Sequence, residues 1–389
     1  MTRSPLWLSA FRPFYLLGAA YAPVLAIAWL AAWLGYWSPP GDVPLRLTHG
    51  HEFIFGFAVA IVFGVVLTAL PSWAGTDELD GGRLALLAGL WLAGRAGFWS
   101  APWLPAPLPG VLDGLLYAAA IVMLAPQLAR VKNRRYALLL PILAALLASN
   151  LVFHHAIAGR DAALASLALR GAVWTLAVLF VLKGGVLAPI FTGNALRERG
   201  RGDQAPFLPG LEFASVAALV LLAALDLAGA PPRWTGTLAL ACAVLHGWRC
   251  ARWRGWRVAD VPLLLAMHLG FAWLLAALLL KAAADLFGLV PEAAWLHAFT
   301  VGGLGMMMLG LMTRVVLRHT GRPLVVPLPL RVAMAAMFLA ALLRVGAGPL
   351  GTATAWAIAA ALLWGACFAL YLAVFGRTLT APSLPRPAP

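Results

Sequence analysis

The stretch 48-THGHEFIFGFAVAIVFGVVLTALPSW-73 decides the fold, because it sets two histidines and a glutamate at the mouth of a run long enough to cross a membrane. Between Phe53 and Leu70 there is no charged residue. Eighteen helical residues at ~1.5 Å rise cover ~27 Å, close to the hydrocarbon thickness of a bilayer. Glu52, Gly56, Ala60 and Gly64 recur every fourth residue, so one face is small enough for a second helix backbone to approach closely. His51 projects about 100° from Glu52, and His49 precedes the helix proper, so the ring nitrogens converge only if the entry loop curls over the helix end. This arrangement suits a cofactor held near a membrane surface.

Working outward, the whole chain has the same character. Of its 389 residues, 63% are hydrophobic and 11% charged, whereas a soluble protein carries about 25% charged residues. The net charge of +14 resides almost entirely in short connections between apolar runs. That pattern describes topology and gives no nucleic-acid-binding face. Cys242, Cys250 and Cys367 are isolated, so neither a disulfide framework nor a thiolate metal site is indicated. The N-terminal segment lacks a small-residue cleavage site and continues into FYLLGAAYAPVLAIAWLAAWLGY, which reads as a first membrane helix.

Apolar windows predict an all-α integral membrane protein of about twelve transmembrane helices in one polytopic domain covering 1–389. The windows are 14 to 36, 51 to 70, 83 to 100, 107 to 129, 136 to 158, 171 to 192, 208 to 230, 234 to 250, 260 to 283, 294 to 317, 328 to 348 and 351 to 375. No internal sequence repeat is evident. Counting Lys and Arg on alternate sides gives eighteen on the side of the N-terminus, Arg3 and Arg386 among them. The other side has only Arg46, Arg160, Arg170 and Arg233. The positive-inside rule then predicts both termini in the cytoplasm.

This topology puts His49, His51, His154, His155 and His297, five of eight histidines, in one layer near the outer face. A lone histidine at a span end ordinarily hydrogen-bonds at headgroup level. Five at one depth on three helices point instead to ligation of metal or haem. Arg95 and Arg344 are mid-membrane cations with no carboxylate one turn away, as haem propionates would require. Lys281 has Asp285 at i+4, and a local ion pair is its simpler explanation. In the segment from His297, the glycines Gly302, Gly303, Gly305 and Gly310 remove bulk for a neighbouring helix or a flat macrocycle. Helix packing is the commoner use.

FRPFYLLGAAYA (11–22), HGHEFIFGFAVAIVFGVVLTALPSWAG (49–75), NLVFHHA (150–156), GGVLAPIFTGNAL (184–196) and HAFTVGGLGMMMLGLMTRVVLRHTGRPL (297–324) together resemble the NnrS family over essentially the whole chain. The resemblance implies a bacterial inner-membrane protein containing haem, of b type, and copper, associated with denitrification and resistance to nitric oxide. One departure is visible, since Lys183 stands before the paired glycines where a basic residue is expected after them. The order of helices also resembles the haem-bearing subunit of haem-copper oxidases and nitric oxide reductases, a likeness at the level of fold.

On this reading His51 and His297 are haem ligands, Arg95 and Arg344 bind its propionates, and His49, His154 and His155 hold copper. Exchanging His49 and His51 between the two sets is the alternative division. Glu52 is the candidate catalytic carboxylate. The expected partners are the lipid bilayer, nitric oxide as ligand and an unidentified electron donor, with no nucleic acid. The activity expected is binding or reduction of nitric oxide near the periplasmic side. Its rivals are a transporter of copper or a metal–nitrosyl species and a haem-based sensor.

Overall fold

A computed structural model of the chain describes residues 4–41, 43–347 and 353–385. Arg3, Arg386 and the window boundaries at 348–352 lie outside these residues. Among the described residues there is no strand, and each of the twelve apolar windows falls on a long helix. These are α1 (Phe11–Trp33), α2 (Leu45–Ala74), α3 (Gly81–Trp99), α4 (Pro107–Leu128), α5 (Arg134–Ala158) and α6 (Ala162–Glu198). There follow α7 (Pro209–Leu227), α8 (Pro232–Arg252), α9 (Pro262–Phe287), α10 (Ala293–His319), α11 (Leu328–Gly346) and α12 (Ala353–Thr380). The protein is an all-α, multi-pass membrane protein. Among the described residues, ten of these helices are long and apolar enough to cross a membrane; α3 and α8, which carry two and three arginines, fall outside that set.

Helix contacts sort the chain into two units. The first comprises Met1–Thr175, Val315–Val325 and Phe368–Pro389, and the second Leu176–Arg314 and Val326–Cys367.

In the first unit, α2 lays its small-residue face on α1, as the fourfold spacing predicts. A Cβ on Gly56 would meet the Tyr21 ring at 2.7 Å, one on Gly18 would meet Ala60 at 3.2 Å, and one on Gly64 would meet the Tyr15 ring at 2.5 Å. The pairs step in opposite directions along the two helices, so α1 and α2 run antiparallel. The Phe11 amide extends the series by donating to the Thr68 hydroxyl at 2.8 Å, satisfying one of the open donors at the start of α1. One residue on, the buried Arg12 guanidinium donates to the Leu379 and Ala381 carbonyls at 2.9 and 2.7 Å and to the Ser383 hydroxyl at 2.9 Å. It thereby closes the C-terminal end of α12, whose last carbonyls have no partner within the helix.

In the second unit, Lys281 is buried between Asp226 at 2.6 Å and Asp285 at 3.0 Å. The ion pair with Asp285 follows from its spacing, and Asp226 adds a second from α7. Arg249, also buried, pairs with Glu212 of α7. The three thiols are free, and Cys242 and Cys367 are buried, as small core residues.

Among the described residues, three segments within these helices are wound more widely than an α-helix. Glu52–Ala58 in α2, Phe180–Gly184 in α6 and Ala298–Leu304 in α10 are π-helical. They occur in every fourth helix along the chain and are followed by α-helical stretches of 16, 14 and 15 residues. This regularity at the level of elements has no counterpart in residue identity. At each one a side chain from another helix inserts. The Trp91 indole donates to the Gly56 carbonyl at 2.9 Å, Arg249 lies on Gly185 with the Val181 carbonyl 3.4 Å away, and the Trp273 ring lies on Gly302. Short π-helical turns widen a helix and frequently accompany functional sites.

Candidate metal centre

The first π-helical segment begins at Glu52, and its opening turn directs His51 and Glu52 into the interior of the first unit. His51 is fully buried, stacked between the Phe98 ring at 4.3 Å and the Phe153 ring at 4.4 Å, so its plane is fixed from both sides. Its Nδ1 lies 2.9 Å from Glu52 Oε1, and its Nε2 lies 3.2 Å from Asp113 Oδ2. His154 enters from α5 with Nε2 3.3 Å from the same Asp113 oxygen. Asn150, one turn earlier on α5, donates to that oxygen at 2.9 Å. The Arg95 guanidinium bridges the two carboxylates, with one nitrogen on Glu52 and another on Asp113. Tyr21 donates its hydroxyl to the remaining Glu52 oxygen and receives the Trp99 indole N–H at 2.6 Å.

Glycines make the room for this convergence. A Cβ on Gly94 would stand 2.8 Å from Asp113 Oδ1 and 3.0 Å from its Cα, and one on Gly110 would stand 2.9 Å from His154 Cβ. With Gly56 under the Tyr21 ring, three of the cluster's side chains each lie over a glycine on a neighbouring helix. Five helices, α1 to α5, thus contribute to one buried polar cluster.

The electrostatics are unbalanced. Glu52 and Asp113 bring two negative charges and Arg95 one positive charge. Both nitrogens of His51 face carboxylate oxygens, whereas a neutral imidazole has only one N–H to offer. A cation at Nε2, either a second proton or a metal ion, resolves both deficits.

His51, Asp113 and His154 each offer a donor atom, and all three atoms lie within 4.8 Å of one another. Ligands ~2.0 to 2.2 Å from one metal at tetrahedral angles stand ~3.4 Å apart, close to the two separations from Asp113. Two imidazoles and a carboxylate suit a first-row transition metal. Glu52 on the far nitrogen of His51, at 2.9 Å, completes the carboxylate–histidine–metal relay that commonly orients such ligands. The Asn150 amide stands 3.4 Å from Nε2, beside the position a metal would take. The donor set of His51, Asp113 and His154 fits a metal ion.

They offer haem no equivalent fit. Both nitrogens of His51 are directed at carboxylates. The glycines after His297 are covered by protein: the Trp273 ring lies on Gly302, and the Met337 Sδ would stand 2.7 Å from a Cβ added at Gly305. His297 itself belongs to the second unit, is half-buried and donates Nδ1–H to the Ala293 carbonyl at 2.7 Å, leaving Nε2 as its acceptor nitrogen.

The other expected site residues are distributed as follows. His49 lies within α2 and not on an entry loop before it, since the helix begins at Leu45, and it packs against Phe53 at 4.3 Å and Trp29 at 5.4 Å. His155 is exposed, because it projects about 100° from His154 and only one of the pair can face inward. Arg344, in the second unit, is half-buried and makes no hydrogen bond or ion pair among the described residues. Arg95 has no carboxylate within its own helix, yet α2 and α4 supply two. His154 is therefore grouped with His51, and the sequence reading missed Asp113 and Asn150. Asp113 is the only charged residue of α4, and an acid inside an apolar span is itself a signal of function.

A family profile described as NnrS protein matches residues 5–383, nearly the whole chain. No curated protein matches it.

Proposed function

The chain belongs to the NnrS family, and from that premise we propose that His51, Asp113 and His154 hold a copper ion with which the protein binds or reduces nitric oxide in the bacterial response to nitrosative stress. The observation that carries this reading is the convergence of donor atoms from His51, Asp113 and His154 within 4.8 Å of one another, beside two carboxylates that share one guanidinium. A buried charge in a membrane is retained where it is paired or lines a site. When bound, copper supplies a redox-active centre with affinity for nitric oxide. Around it, Glu52 fixes the His51 tautomer, Asn150 orients the Asp113 carboxylate, and Arg95 holds the two carboxylates apart. The aromatic rings of Phe98 and Phe153 exclude water from His51. A haem of b type remains the family-based expectation, and no step is assigned to it.

Metal analysis of the detergent-purified protein tests the reading. About one copper per chain is expected, surviving desalting and lost in both His154→Ala and Asp113→Asn. Copper retained at full stoichiometry in both variants removes the site. Copper that washes out of the wild type while crossing liposome membranes supports transport instead.

A further inference from the structure

A small cavity lies beside the cluster, between α1, α2, α3 and the α1–α2 connection. Its volume is about 20 Å³, room for about one water-sized molecule. Trp29, Trp37, Trp99 and Phe53 form its walls, and the polar residues Thr48, His49 and Glu52 border it. The lining is almost wholly apolar. Glu52 adds no free charge, since Arg95 and His51 occupy Oε1 and Tyr21 occupies Oε2. The Thr48 hydroxyl is different: the residue is 5% exposed, and its oxygen has no hydrogen-bond partner among the described residues. Trp37, 40% exposed and 5.9 Å from the Trp99 ring, stands on the outward side.

We infer that this cavity is a binding chamber for one uncharged diatomic molecule on its way to the metal cluster, the inference of access resting on the copper reading above. The small volume of about 20 Å³ favours a small occupant. An ion is disfavoured, because it would lose its hydration and meet no free counter-charge among the described residues. The polar groups bordering the chamber are the Thr48 hydroxyl and the His49 ring, so water is the competing occupant that the test must separate. A weakly polar diatomic needs no more than the Thr48 hydroxyl and the surrounding rings. Between the chamber and the metal position stand Glu52, whose Oε1 is 2.9 Å from His51 Nδ1, and the His51 ring itself, whose Nε2 faces Asp113.

Xenon-pressurised crystals of the full chain test the chamber, and stopped-flow mixing with nitric oxide tests access. Wild type should show a xenon atom among Trp29, Trp37 and Trp99, absent from Ala28→Phe and from Leu25→Phe, which fill the space from α1. In both variants copper content should be unchanged while the association rate of nitric oxide falls by about tenfold or more, equivalent to a barrier of ~1.4 kcal/mol. A well-ordered water in place of xenon, or no xenon at all, overturns the chamber. An unchanged association rate in both filled variants overturns its role in access. Wild type that takes up xenon but carries no copper supports the chamber and removes the metal reading, so the two fail separately.

Discussion

At the scale of single residues, the cluster is governed by charge balance. Removing Arg95 leaves two carboxylates facing each other in a buried site, and breaking such a pair costs about 3–5 kcal/mol. Arg95→Met should therefore lower the thermal stability of the apo protein sharply. Adding Glu52→Gln removes one of the stranded charges, so the double variant should be more stable than Arg95→Met alone. A double variant less stable than the single one would mean that the guanidinium acts through packing and not through charge. Glu52 also touches His51 without being placed among the ligands. Loss of such an orienting group typically costs about 10–100-fold in metal affinity. Glu52→Gln should weaken copper by about that factor in a competition titration against a chelator, less than His154→Ala; a loss as complete as that of His154→Ala would make Glu52 a ligand. These contacts were only partly legible in the sequence. His51, Glu52, Arg95 and His154 stand out as polar residues in apolar windows, but which of them meet depends on the α3 and α4 approach, which residue spacing within α2 does not encode.

At the scale of elements, helices and their apolar faces were readable from hydropathy, and the small face of α2 correctly foretold its contact with α1. The π-helical segments were not readable, because one extra residue per turn leaves no mark in composition. The glycines of α3 show how local spacing becomes site geometry. Gly94 and Gly89 lie on the same helix, but a Cβ on Gly89 meets nothing within 4 Å, whereas one on Gly94 meets the Asp113 backbone. Gly89→Ala should stabilise by up to about 1 kcal/mol through helix propensity. Gly94→Ala should instead cost about 1–3 kcal/mol by overpacking, and should reduce copper because Asp113 moves with α4. Equal stability changes and equal copper in the two variants would show that α4 yields at no cost, and that Gly94 does not seat the ligand.

At the scale of the whole molecule, the question is how many helices cross. The ten that are apolar enough leave out α3 and α8, yet one arginine in each is hidden: Arg95 is 5% exposed and Arg249 2% exposed, each against a carboxylate. Lipid does not meet these charges, so hydropathy understates both helices, and all twelve are expected to span. The alternative makes a different map. If α3 stays on one side, the connection holding Arg130, Lys132, Arg134 and Arg135 and that holding Arg197, Arg199 and Arg201 both move to the outer face. That would reverse the charge bias that orients membrane proteins. Reporter fusions separate the two maps. With twelve spans, fusions after Arg135 and Arg201 report cytoplasm, while those at Trp37 and Gly159 report periplasm. With α3 and α8 not crossing, Trp37 still reports periplasm, but Gly159 reports cytoplasm and the two basic connections report periplasm. Full inversion at every position would turn the α1–α2 connection, with Trp37 beside the chamber, toward the cytoplasm. Nitric oxide would then reach the cluster from inside the cell.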